Sequence, residues 1–104
     1  MTDKALLLKI KQAVTLHAPS AQVYLFGSRA TGKFTPESDW DVLILLDQEE
    51  LSLAQEQSIT NALYDIELET GAIISPSVYT SNEWVNKYSV TAFYESVMQS
   101  AVPL

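Results

Sequence analysis

The segment that most constrains the fold is Asp39–Leu46, with the sequence DWDVLILL. It begins with polar and apolar residues in alternation and ends in an unbroken apolar run. A strand of this type lies inside a sheet whose two faces are both covered. The segment therefore predicts a central strand in a sheet flanked by helices.

The rest of the chain supplies the elements for such a sheet. The patterns predict a helix over 3–17, capped by Thr2 or Asp3, strands over 22–26 and 72–79, a helix from a capping box at 47–50 to about Ile66, and a last helix or helix pair over 83–99. Pro76 should place its strand at an edge or at a bulge. We expect an α/β (α+β) domain with a small mixed sheet of three to four strands. A length of 104 residues favours one domain over 1–104.

Charge and composition exclude several classes of function. The net charge of -7 argues against direct nucleic-acid binding, which depends on basic residues meeting phosphates. No apolar run approaches the roughly 20 residues of a membrane span. The chain has no cysteine, which suits a cytoplasmic protein. Two of the six basic residues, Arg29 and Lys33, lie close together in the segment before the central strand, which suggests a small anion site there.

The same segment contains Gly27-x-x-x-x-Gly32-Lys33, one residue short of a P-loop. A P-loop requires a serine or threonine after the lysine to ligate Mg²⁺, and this chain has Phe34. Only about a dozen residues, interrupted by Pro36, separate Gly27 from the central strand, too few for a helical crossover. The P-loop hypothesis therefore fails.

The spacing suits a different phosphate site. Gly27 permits a sharp turn after a strand. The four residues 28–31 can then form a short helix that Gly32 ends. The first amides of that helix can bind phosphate. Asp39 and Asp41 are two apart on a strand, so both carboxylates share one face. Mg²⁺ prefers one or two carboxylates together with phosphate oxygens.

The pattern Gly-Ser-x-Ala-x-Gly-x5-Ser-Asp-x-Asp resembles that of the polymerase-β-like nucleotidyltransferases, and the chain length resembles their smallest branch, the minimal nucleotidyltransferases. The resemblance implies that Gly27 and Ser28 hold the triphosphate of ATP or another NTP. It implies that Asp39 and Asp41 bind Mg²⁺ and support transfer of a nucleoside monophosphate to a hydroxyl. Arg29 either offsets phosphate charge or is an ordinary surface residue.

One departure from that family concerns a third carboxylate, which its active members carry on the next strand. The strand predicted over 72–79 has no acid, and Ser75 stands at the expected position. Two hypotheses follow. Either the chain is an active enzyme that uses another acid, such as Glu69 or one from a partner, or it is a degenerate enzyme that acts as a binding module.

The resemblance also implies a partner. Minimal nucleotidyltransferases of bacteria are often paired with a helical HEPN protein, the toxin of a toxin–antitoxin pair in which the nucleotidyltransferase is the antitoxin. The C-terminal third contains aromatic residues that serve either as core or as a partner surface, namely Trp84, Tyr88, Phe93 and Tyr94.

Overall fold

The computed structural model describes residues 1–104. Its elements follow the order α1 (Asp3–His17), β1 (Gln22–Phe26), α2 (Ser28–Thr31), β2 (Trp40–Leu46), α3 (Leu53–Thr70), β3 (Ile74–Thr80), α4 (Ser81–Asn86), α5 (Ala92–Ser100) and β4 (Val102–Pro103). Helix α1 has the predicted bounds, and the Thr2 side chain caps it by accepting from the Ala5 N–H.

The four strands form one mixed sheet in the order β3-β2-β1-β4. Strand β1 is antiparallel to both β2 and β4, whereas β2 and β3 are parallel. The apolar segment at 40–46 is therefore an internal strand, as predicted. The predicted α/β class with a small mixed sheet is confirmed.

The pleat of β2 divides the core into two layers, because neighbouring side chains point to opposite faces. Val42, Ile44 and Leu46 pack on one face in a cluster shared with α1 and α3. Leu43 and Leu45 pack on the other face in a cluster that includes residues of α4 and α5. Helices thus cover both faces of the central strand. No helix in the chain combines the length and the apolar character needed to cross a membrane.

Strand β3 lies at an edge of the sheet, which agrees with the prediction from Pro76. Its pairing with β2 runs without a bulge from Trp40↔Ile74 to Leu46↔Thr80. The Trp40 N–H donates to the Ile73 carbonyl at 2.8 Å, so odd-numbered residues of β3 bond to β2 and Pro76 faces outward. An outward position tolerates proline because no partner strand needs its missing N–H.

The predicted start of the long helix was wrong. The helix was expected to open at Asp47–Glu50, but α3 begins at Leu53 with Ser52 as N-cap, whose side chain accepts from the Gln55 N–H at 3.1 Å. Strand β2 runs up to Leu46, and the chain uses the residues after it to leave the sheet before a helix can start. The sequence pattern at 47–50 therefore belongs to the connection and not to a cap.

The corrected cap gives a stability prediction. Ser52→Ala should lower the free energy of unfolding by about 0.5–2 kcal/mol, because the Gln55 N–H loses its acceptor. Asp47→Ala, which alters the connection and not the cap, should change it by less than about 0.5 kcal/mol. Urea denaturation of both variants checks this, and a larger loss for Asp47→Ala than for Ser52→Ala would contradict a helix capped by Ser52.

Candidate functional site

The site forms where the end of β1 meets the start of β2. The antiparallel register pairs Phe26, the last residue of β1, with Asp41. The next residue, Gly27, therefore turns directly beside the Asp41 carboxylate. This pairing joins the two halves of the motif, which lie apart in sequence.

Gly27 adopts a backbone conformation that only glycine takes readily. Its φ is 71° and its ψ is -156°. A Cβ at this position would overlap Oδ2 of Asp41 and would lie 3.3 Å from its Cγ. The glycine predicted for the turn is thus required twice, by its dihedral angles and by the carboxylate next to it.

The turn opens the short helix α2. The N–H groups of Ser28 and Arg29 come first in this helix and have no acceptor within it. Gly32 ends the helix in the left-handed conformation at φ 83°, as the sequence predicted for this position. The unpaired amides start directly after Gly27, and therefore close to Asp41.

Three polar side chains from neighbouring strands share the face beside this turn. Ser75 pairs with Asp41 across the parallel register, and its hydroxyl donates to Oδ2 of Asp39 at 3.0 Å. Trp40, between the two aspartates, is buried in the opposite layer. The predicted alternation is therefore correct, and Ser75 occupies the place expected for a third acid.

The two carboxylates repel each other at close range. Burial raises the pKa of the Asp41 carboxyl, and the neighbouring charge of Asp39 raises that pKa further. A carboxylate held in this way gains from a cation beside it, because a cation relieves the repulsion. The electrostatics thus favour a cation between the two aspartates.

No third His, Cys, Asp or Glu joins the aspartates in a metal-binding group. Glu69, the acid suggested as a substitute, lies near the end of α3 and forms an ion pair with Lys9 of α1. Helices α1 and α3 share the layer of Trp40, opposite the face on which Asp41 lies. The structure therefore does not bring Glu69 into the site.

Arg29 has a contact set that favours a structural role. Its guanidinium donates to the Ser38 carbonyl at 3.0 and 3.2 Å and to the Pro36 carbonyl at 3.3 Å. It also stacks on Phe34 and Trp40, at 4.6 and 4.3 Å from the ring centroids. Arg29 thus folds the loop before β2 back on α2, and its donors serve carbonyls instead of a phosphate in this conformation.

Comparison with known proteins agrees with this geometry. A family profile described as a nucleotidyltransferase domain matches residues 7–98. The chain belongs to this nucleotidyltransferase domain family. The match spans both layers and the whole Gly27–Asp41 site, and domains of this family generally use a divalent metal. No curated protein matches the chain significantly.

One contact of this nucleotidyltransferase domain was missed in the sequence. The Gly27 N–H donates to the Ser100 hydroxyl at 3.1 Å. Ser100 is the last residue of α5, far from Gly27 along the chain and outside the family match. A lone serine at a helix end carries no recognisable pattern, so only the fold reveals this contact.

Proposed function

We propose that the chain binds a nucleoside triphosphate, ATP or another NTP, as its Mg²⁺ complex and transfers the nucleoside monophosphate to a hydroxyl. The observation that carries the proposal is the contact of the Gly27 turn with Asp41, with Asp39 on the same face. In a nucleotidyltransferase domain this arrangement supports a triphosphate held between backbone amides and a metal site.

The residues present fit Mg²⁺. Asp39 and Asp41 supply two carboxylates, and the remaining positions around the ion suit water and phosphate oxygens. The repulsion between the aspartates makes binding of the metal–nucleotide complex more favourable than binding of the free, anionic nucleotide. When bound, the metal would stabilise charge on the attacking and leaving oxygens.

The chain itself contributes mainly position and charge. The Ser28 and Arg29 amides, with the Ser28 hydroxyl, are proposed to hold the triphosphate beside Asp39 and Asp41. The acceptor oxygen forms a bond to the α-phosphorus as the bond from that phosphorus to the bridging oxygen breaks, and pyrophosphate leaves. The acceptor proton must pass to a base, and phosphoryl transfer otherwise depends on orientation and electrostatic stabilisation.

A second candidate function follows from Ser75. It occupies the position opposite Asp41, but a hydroxyl is a poor base and a weak metal ligand. Loss of a general base typically costs a factor of about 10²–10⁴ in rate. The alternative is therefore a catalytically degenerate domain that binds nucleotide or a partner. We propose that the isolated chain is close to this degenerate state and transfers the nucleoside monophosphate slowly.

The proposed partner is a HEPN-type helical protein, with this chain as the antitoxin. Support comes from the layer formed by α4 and α5. Trp84 is buried there, but Val85 and Met98, exposed by 55% and 52%, line one shared surface groove. Exposed apolar side chains that are close together mark protein interfaces. A partner bound near this layer is one source for the missing acid or for the acceptor hydroxyl.

Incubation with ATP labelled at the α-phosphate tests both functions. The isolated chain should retain labelled ATP in the presence of Mg²⁺ and should transfer label slowly. Addition of a HEPN protein encoded beside it should accelerate transfer under the enzyme hypothesis and leave it unchanged under the binding-module hypothesis. Failure to retain ATP, with or without the partner, would refute both the enzyme and the nucleotide-binding module, and stable binding of the HEPN protein without ATP would then favour a domain that binds only a partner.

A further inference from the structure

The turn that carries the proposed phosphate site has few groups that fix it. Glycine loses more conformational freedom on folding than any other residue, so Gly27 needs contacts on both sides. Its carbonyl accepts from Ala30 and Thr31 N–H at 3.1 and 3.2 Å, within α2. Its N–H donates only to Ser100. The side of the turn that faces β1 thus depends on a residue of α5.

Ser100 is itself held firmly. Helix α5 packs on the sheet through Val97, which is 1% exposed. The ring of Phe93, also in α5, packs edge to face on the ring of Phe26, with the ring centroids 6.0 Å apart. Directly after Ser100, β4 pairs with β1 through Leu25↔Val102. The backbone of Ser100 is therefore fixed on both sides, next to the last residues of β1, and its hydroxyl donates to the Val97 carbonyl at 3.5 Å.

We propose that Ser100 is a positioning residue for the nucleotide site. By accepting the Gly27 N–H it fixes the turn, and the turn aims the Ser28 and Arg29 amides toward the triphosphate. This inference rests on the proposed function and extends it, because Ser100 lies outside the family match over 7–98. It makes the C-terminal helix part of the nucleotide site without any contact to the nucleotide.

The test compares Ser100→Ala with Ser100→Thr, which keeps the hydroxyl. The matched control is Ser58→Ala, because the Ser58 hydroxyl only bonds within α3, to the Ala54 carbonyl. The affinity of Ser100→Ala for Mg²⁺–ATP should fall by about three- to tenfold, which is the change expected when one hydrogen bond is lost. Threonine should restore most of it, and Ser58→Ala should bind like wild type.

Amide hydrogen exchange provides a second readout that does not depend on nucleotide. The Gly27 amide should exchange about three- to tenfold faster in Ser100→Ala than in wild type, and Ser100→Thr should restore its protection. Unchanged exchange, or equal or tighter Mg²⁺–ATP binding by Ser100→Ala, would overturn the inference. If wild type binds no Mg²⁺–ATP, the proposed function falls, and the exchange of the Gly27 amide then shows only whether Ser100 fixes the turn.

Discussion

Gly27→Ala is expected to destabilise the fold and to abolish measurable nucleotide binding. A residue with a side chain pays roughly 1–3 kcal/mol for this backbone conformation alone. The new Cβ would also overlap the Asp41 carboxylate, so the turn or the aspartate must move. Either movement separates the proposed phosphate amides from the proposed metal ligands. Thermal unfolding and Mg²⁺–ATP titration of the variant measure the two effects.

Two comparisons separate the effect of the backbone conformation at residue 27 from the effect of the overlap with Asp41. Gly71→Ala also places alanine at positive φ, 77°, but meets nothing within 4 Å, so it should cost only about 1–2 kcal/mol and leave nucleotide binding intact. An Asp41→Ala background removes the two atoms closest to a Cβ at residue 27, and the Cβ of residue 41 remains at 3.5 Å. Gly27→Ala should therefore be less destabilising there than in wild type. Additive losses in this cycle would show that the Asp41 contact is not the cause.

Ser75→Asp is expected to raise transfer of the nucleoside monophosphate by about tenfold or more. The substitution places a carboxylate in register with Asp41 and near Oδ2 of Asp39, which supplies both a base and a further metal ligand. Three carboxylates at one point repel each other without a cation. The variant should therefore unfold at a lower temperature than wild type without Mg²⁺ and recover when Mg²⁺–ATP is added.

Ser75→Asn is the matched control, since it has the size of aspartate without the charge. It should not accelerate transfer, and it should not show the additional loss of stability without Mg²⁺ that a third carboxylate causes. Transfer of labelled AMP from ATP measures the rates. Fast transfer by the wild-type chain alone, with no gain for Ser75→Asp, would refute the account of a weakened site and would favour an intact enzyme that uses another base.

The sequence predicted those parts of the fold that depend on local periodicity. The central strand and the phase of Asp39, Asp41 and Ser75 follow from alternation along single strands. The sequence did not predict β4, because its two residues are too short for any pattern and depend on pairing with β1. The start of α3 was also missed, since several residues near the end of β2 can cap a helix and only the path of the chain selects Ser52.

In the candidate site, too, the sequence predicted only the residues that a local spacing marks. Gly27 and the two aspartates were found because turns and strands impose fixed spacings on these residue types. The sequence did not decide between a phosphate-binding and a surface role for Arg29. Its partners are backbone carbonyls of the loop, which no residue type marks in the sequence. Ser100 was not found at all, since its contact joins residues that only the docking of α5 and β4 brings together.

The central claim is that Asp39 and Asp41 hold a metal–nucleotide complex beside Gly27, and calorimetric titration with Mg²⁺–ATP tests it most directly. Asp41→Asn should bind at least about tenfold more weakly than wild type, because even indirect partners of a metal ligand change affinity by this much. Without Mg²⁺ it should unfold no earlier than wild type, because burial and Asp39 already disfavour the charge at this position. Asp47→Asn, at the other end of β2, should bind like wild type. Equal affinity of wild type and Asp41→Asn for Mg²⁺–ATP would contradict the account.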